Sequence, residues 1–352
     1  MTCHSTRGRH GTLSLCVAFA CALVTTGCGS KEARVVSYCA QDKEFAEGVF
    51  AQFESRTGLA VAPHYDTEAT KSVSLYQELA QEARRPRCDV FWNNEILSTI
   101  RLQRQGLLEA YASPSAAPYP ASARAPDNTW HAFAARARAL IVNTERLPAK
   151  DHPKSLLDLT DPKYKDQVAL AKPNFGTTAT HAACLFEVLG KDAAQKWFLG
   201  LRANGAHVLD GNKAVAVTVG QGKYAIGMTD TDDAIAEVKA GRPVVILFPD
   251  RDRPASDRMG TLFIPNTVML IKGAPHPEAG KKLIDYLLSA DVEKQLAESE
   301  SHQIPLNPNV AANLPKQIET PKTVKAMEVD WGKAADLWEE VQAFLRNEFL
   351  RP

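Results

Sequence analysis

The chain carries no net charge, 41 Lys and Arg against 41 Asp and Glu in 352 residues. Without an excess or a block of one sign, nothing points to nucleic acid as a partner, and any ligand must be met by a local site. Cysteine is scarce too. Of seven, Cys3, Cys16 and Cys21 precede residue 28, leaving Cys28, Cys39, Cys88 and Cys184 without metal-ligand spacing. Cys39 ends one expected strand and Cys88 begins another running parallel beside it, at opposite ends of the sheet. No disulfide between them is expected, because bridged cysteines need Cα atoms within roughly 7 Å. Also missing are a Gly-x-Ser-x-Gly elbow, a His-Glu-x-x-His zinc motif and a Gly-x-x-x-x-Gly-Lys loop, and no two histidines stand at i, i+4 or His-x-His spacing. These absences weigh against an enzyme, and no catalytic residue is assigned.

The longest apolar run, Leu13 to Val24, is too short for a comfortable membrane span. Arg7, Arg9 and His10 precede it and Thr25-Thr26-Gly27-Cys28 follows, the form of an export signal. Small residues before a cysteine resemble a bacterial lipoprotein signal, which would make residues 1–27 a cleaved peptide and Cys28 the lipidated first residue. Thr25 stands where Leu is usual, and conventional cleavage nearby is the alternative. Either way the mature protein leaves the cytoplasm.

After a linker, 28–33, short apolar strands alternate with amphipathic helices. Arg34 to Cys39 reads as a strand, Lys43 to Thr57 as a helix with Phe45, Val49, Phe50 and Phe53 on one face, and Ala60 to Tyr65 as a strand again. Such alternation argues for parallel sheets covered by helices. Further helices are expected over Thr70 to Arg84, Glu95 to Gln105, Thr178 to Gly190, Ala193 to Asn204 and Lys333 to Phe349, and Ser113 to Asp127 reads as a surface loop. The long apolar run Trp130 to Asn143 and a return near Leu262 to Leu270 suggest two lobes joined by crossing strands. Ligands of open α/β sheets sit beyond the carboxyl ends of strands, which gives weight to Gln41 and Asp42, Tyr65 to Thr67, Asn93 to Glu95, Asn174 to Thr178, Asp210 to Asn212 and Thr229 to Asp233.

The last of these is the most unusual. Three carboxylates in four positions, Asp230, Asp232 and Asp233, end an apolar strand. The plain alternative is a turn in which Thr231 or Asp232 caps a helix from Ala234 to Ala240. Pro173 to His181 places Thr177, Thr178 and Thr180 with free amides at another helix start, a good anion site. Arg136 and Arg138, on alternate positions of the crossing strand, share a face and either add positive charge to the site or pair with buried carboxylates. Trp92 is either a stacking surface for a ligand or part of the core.

Taken in order, Val35 to Glu44, Phe53 to Gly58, Cys88 to Glu95, Ala135 to Thr144, Ile264 to Val268, Lys272 to Ala279 and Ile284 to Ser289 resemble the extracellular solute-binding proteins of ABC importers, in the branch of the ferric-ion-binding periplasmic proteins. The resemblance implies a type II clamshell, α/β, each lobe a mixed, mostly parallel sheet flanked by helices. Lobe 1 is expected over 34–135 and 263–315, lobe 2 over 136–262, and a C-terminal helical segment, 316–352, packs on them. It further implies a monomer outside the cytoplasm, lipid-anchored to a membrane, whose partner is an ABC permease in the cytoplasmic membrane.

Ferric-binding relatives hold iron with a His and a Glu from one lobe and two Tyr from the other. By position these become Asp42, Asn94 or Glu95, and Asp232 with Asp233, so the phenolates are gone. The metal set expected here is Asp42, Glu95, Asp232 and Asp233, all hard oxygen ligands that also suit other hard cations. The wider ligand-binding set adds Tyr65, Asp66, Trp92, Asn94, Arg136, Thr177, Thr178, Asn212, Asp230 and Thr231. The expected cargo is a metal ion, Fe³⁺ or another hard cation, with an accompanying anion. The alternatives are a phosphorylated, carboxylated or amine-bearing organic solute and, from another class, a secreted hydrolase using the Asp cluster. Beyond lipid on Cys28, no covalent cofactor is expected.

Overall fold

The computed structural model describes residues 34–66, 72–254, 256 and 259–351; the expected signal peptide, linker and lipidated Cys28 lie outside the described residues. Strand β1 (Arg34–Cys39) pairs in parallel with β2 (Ala60–Tyr65) on one side and with β3 (Val90–Asn93) on the other. Helix α1 (Lys43–Thr57) makes the crossover, burying Ala46, Val49, Phe50 and Phe53 at helical spacing and stopping at Gly58, whose φ of 70° suits a residue without a side chain. Helices α2 (Val73–Gln81) and α3 (Leu97–Arg104) and the short β4 (Leu108–Glu109) complete this region.

The crossing strand β5 (His131–Asn143) is buried at every position and changes partner midway. His131 to Ala137 pair antiparallel with β10 (Phe263–Ile271), whereas Arg138 to Val142 pair antiparallel with β8 (Ile226–Asp230). One strand thus belongs to both lobes. Where the register against β10 shifts, Ala134 is held at φ 39°, and its amide donates to the buried carboxylate of Glu293 at 2.7 Å. The second lobe continues with β6 (Val168–Ala171), α4 (Gly176–Leu189), α5 (Lys191–Ala203), β7 (His207–Leu209), α6 (Asn212–Gly220), α7 (Thr231–Lys239) and β9 (Val244–Leu247), with β6 parallel to both β7 and β8. The sheet order is β2-β1-β3-β10-β5-β8-β6-β7, with β4 on β10 and β9 on β5. The outer portions are therefore parallel and the centre antiparallel, as expected of a two-lobed clamshell with crossing strands.

Helices α8 (Pro277–Leu287) and α9 (Ala290–Glu298) return to the first lobe. The single C-terminal helix expected over Lys333 to Phe349 is broken into α10 (Trp331–Asp336), α11 (Trp338–Phe344) and a wide turn over Leu345–Phe349. This segment touches both lobes. Arg101 and Arg104 of α3 pair with Glu339 and Asp336, while the Phe344 ring lies 5.6 Å from Phe186 of α4 and 6.2 Å from Phe198 of α5. The expected loop Ser113 to Asp127 is packed in part, with two 3-10 turns and buried Ala116, Tyr119, Ala123 and Ala125. Cys39, Cys88 and Cys184 are free and buried. No helix among the described residues is long and apolar enough to cross a membrane.

Candidate functional site

Five strand ends meet between the lobes. β1 runs into Asp42 at the start of α1, β3 into Asn94, β6 into the loop before α4, β7 into Asp210 and Gly211 before α6, and β8 into Asp230 and α7. Together with Arg136 from β5, these segments line a narrow pocket of about 20 Å³. The first-lobe wall is Asp42, Asn94 and Arg136; the second-lobe wall is Lys172, Gly176 to Thr178, Asn212 and the three aspartates.

The aspartates have unequal roles. Asp230, buried, accepts from Arg138 Nη1 at 2.7 Å, from Thr177 Oγ1 at 2.6 Å and from Asn212 Nδ2 at 3.1 Å. Arg138 is 1 % exposed and also donates to Asn212 Oδ1 at 3.0 Å. This is a satisfied buried pair, the arrangement in which an interior charge is tolerable. Arg136, 2 % exposed, donates to Gln41 Oε1 at 2.6 Å, while its Nε faces Asp232 at 3.4 Å without a hydrogen bond. Burial opposes the Arg136 charge, but Asp232, Asp230, Asp42 and Asp233 outweigh it and raise its pKa. Oxygens of Asp230, Asp232 and Asp233 lie within 4.8 Å of one another. Asp42, Asp232 and Asp233 thus lie beside Arg136, and Lys213 of α6 adds positive charge near Asp42 and Asp233.

The second-lobe wall also carries backbone donors. Gly176 opens α4 with φ 54°, a left-handed turn that a residue without Cβ makes freely, and no side chain caps the helix. Ala179 is the first residue of that turn to bond back, to the Phe175 carbonyl. Helix α6 is likewise uncapped after Gly211. Both starts present first-turn amides and the positive ends of their dipoles to the cavity. Lys172, at its edge, pairs with Asp210 at 2.7 Å, a contact that lowers the Asp210 pKa.

Of the expected ligand-binding residues, the cavity is lined by Asp42, Asn94, Arg136, Thr177, Thr178, Asn212 and Asp230, with Asp232 and Asp233 of the expected metal set. Four lie elsewhere, and Glu95 is turned away. Glu95 is 1 % exposed and its oxygens accept from Leu97 N at 2.6 Å, Ser98 N at 2.9 Å and Thr180 Oγ1 at 2.9 Å. It caps α3 and does not join the aspartates. Trp92 is core, stacked among Phe50 and Phe133 at ring distances of 5.7 and 5.5 Å. Thr231 does not cap a helix: α7 starts at Thr231 itself, and its hydroxyl accepts from Ala137 N, tying α7 to β5. Tyr65 and Asp66 lie at the end of β2, outside the cavity, where Asp66 accepts from Ser74. Lys172 was not singled out, although it directly follows β6 and the strand-end rule would have marked it.

A larger open cleft of about 760 Å³ adjoins this pocket and shares Asp42, Asp232 and Asp233 with it; its other walls are α1, α6, α7 and α9. Across it Lys213 of α6 meets Glu44 of α1 at 3.3 Å, so the lobes are in contact at the mouth.

Sequence and structure comparisons agree on the family. Residues 98–330 match the profile described as "Bacterial extracellular solute-binding protein". The chain is 26 % identical over 293 residues to the major ferric iron-binding protein of Neisseria meningitidis, spanning 80 % of this chain and 83 % of that one. It is equally 26 % identical, over 264 residues and 73 % of each chain, to a putative 2-aminoethylphosphonate-binding periplasmic protein of Salmonella typhimurium. The crystal structure of iron-bound HitA from Pseudomonas aeruginosa shares the fold with a TM-score of 0.78 at 20 % identity, covering 89 % of this chain and 99 % of that one. The chain belongs to the bacterial extracellular solute-binding protein family.

Proposed function

We propose that this protein is the lipid-anchored binding component of an ABC importer and that it captures, between its lobes, a small organic solute carrying both an anionic group and an ammonium group. The observation that supports this reading is a pocket in which the uncapped helix starts at Gly176 and Asn212 lie beside Asp42, Asp232 and Asp233. The anionic group takes the free amides of α4 and α6. The ammonium is drawn to Asp42, Asp232 and Asp233 by opposite charge. Thr177, Thr178 and Asn212 donate to Asp230 and to one another, and so hold the two helix starts side by side. Arg138 holds Asp230 in place beneath them.

A phosphonate or phosphate amine has this pattern, and a relative of comparable similarity is named for 2-aminoethylphosphonate. A second reading, a hard metal ion with an accompanying anion, is favoured by the proximity of Asp230, Asp232 and Asp233. It is weakened by Glu95 and Asp230, whose oxygens are already occupied. The test is a thermal melt and titration calorimetry of the purified protein with 2-aminoethylphosphonate, inorganic phosphate and ferric citrate. The expected result is a raised Tm with 2-aminoethylphosphonate, equivalent to about 2.7 kcal/mol at a hundredfold excess over Kd. Stabilisation by ferric citrate alone would replace this reading with the metal one.

A further inference from the structure

We infer that Glu293 is the positioning residue of the hinge: its carboxylate holds Ala134 in the backbone conformation of the closed form, and its loss lets the lobes open without touching the pocket. Three segments pass between the lobes at one place. β5 leaves the first lobe there and β10 returns to it, with the register between them shifting at Pro265 and Asn266. The third is the chain after α9, in which Ile304 bridges Ala135 through two hydrogen bonds of 2.7 Å and shares a core with Ile235 of α7 and Phe248 of the second lobe.

Two buried side chains clamp Ala134 at this crossing. Glu293 of α9, 0 % exposed, accepts from Ala134 N at 2.7 Å and Leu306 N at 2.9 Å through Oε1, and from Asn307 N at 2.8 Å through Oε2. Asn266, equally buried, donates to the Ala134 carbonyl and to Gln303 Oε1 at 2.8 Å. The carboxylate thus ties β5 to the third segment, and Asn266 ties both to β10. Ala134 needs such holding, because a φ of 39° lies in the left-handed region, where a residue with Cβ is disfavoured and persists only when its surroundings fix it. Hinges work through a few residues that take up the change in φ and ψ, and Ala134 is the one residue of β5 with a positive φ. The lobes meet at Lys213 and Glu44 in this form, so the held conformation is that of the closed protein. Glu293 lines neither the pocket nor the outer cleft.

The test is small-angle X-ray scattering of the ligand-free protein beside urea unfolding. Glu293→Gln sets an amide NH₂ against backbone N–H groups that need an acceptor; it is expected to raise the radius of gyration while circular dichroism shows the variant folded. Glycine takes positive φ as readily as negative, so adding Ala134→Gly is expected to reverse at least half of that rise, an effect that support of the core alone does not produce. Glu293→Asp, which keeps the charge but withdraws it by one methylene, is expected to give a smaller rise and decides the matter if Glu293→Gln does not fold. An unchanged radius in the folded variant, with only the urea midpoint lowered, would reduce Glu293 to a packing role and overturn the inference. A rise that Ala134→Gly leaves in place would overturn it too, since Ala134 would then not be what Glu293 holds.

Discussion

Asp230 and Asp233 stand three positions apart, yet their substitution should have opposite consequences. Asp230→Asn removes the partner of a guanidinium that is 1 % exposed, and breaking a buried pair of this kind costs about 3 to 5 kcal/mol, which urea unfolding would register. Asp233→Asn alters a half-buried carboxylate on the cavity wall, so stability should change by less than about 1 kcal/mol. Affinity for an ammonium-bearing solute should nevertheless fall about tenfold or more in calorimetry, since one charged contact of about 1.5 to 3 kcal/mol is lost. A second residue-scale prediction concerns His181 on α4. Burial and then the neighbouring Arg138 charge lower its pKa well below the ordinary value, so the unfolded chain binds the proton more readily than the folded one. Stability is then complete above about pH 6.5 and declines as pH falls below it, and His181→Gln should flatten the urea midpoint between pH 6.5 and 5. An unchanged slope in the variant would mean that other groups, such as the buried His131, account for the acid sensitivity.

Among elements, the contact of α6 with β8 depends on one missing methyl. A Cβ at Gly227 would come within 2.6 Å of Val215, 2.9 Å of Ile141 and 3.0 Å of Val219. Gly227→Ala should therefore push α6 off the sheet, cost about 1 to 3 kcal/mol in chemical denaturation and, by moving Asn212, weaken ligand binding as well. Gly176→Ala is a different case: left-handed backbone costs a residue with Cβ about 1 to 2 kcal/mol, and α4 would present its amides less well. The elements themselves were legible because their apolar spacing is strong. Strand β1, helix α1 and the crossing strand β5 stand where periodicity put them. The ends were less legible, because caps are decided by neighbours distant in sequence. Thr231 reads as a cap until Ala137 claims its hydroxyl, and Glu95 reads as a free ligand until the Leu97 and Ser98 amides and Thr180 occupy it. Trp92, at a strand end, has a sequence context equally fit for cleft and core; only the packing of Phe50 and Phe133 decides. The acidic turn was visible as a site, and its division between a structural Asp230 and pocket-lining Asp232 and Asp233 was not, since Arg138 and Arg136 look alike along β5.

For the whole molecule, the lobes share β5 and meet at Lys213 and Glu44, which sit 3.3 Å apart at the mouth. The pair is largely exposed and is worth about 0 to 1 kcal/mol, so Lys213→Ala should leave the fold intact while loosening closure. The expected outcome is a ligand dissociation rate raised about twofold to fivefold in stopped-flow measurements, with association nearly unchanged. The C-terminal helices bear on the same motion from the other side. Because α10 and α11 grip Arg101 and Arg104 of one lobe and Phe186 and Phe198 of the other, the lobes cannot swing apart freely without parting aromatic rings or ion pairs. Measured affinity is intrinsic affinity scaled by the fraction of molecules already competent to bind. A clasp at the spine of the clamshell thereby sets how much of its grip the protein holds before any solute arrives, and residues far from the cleft become settings of its sensitivity.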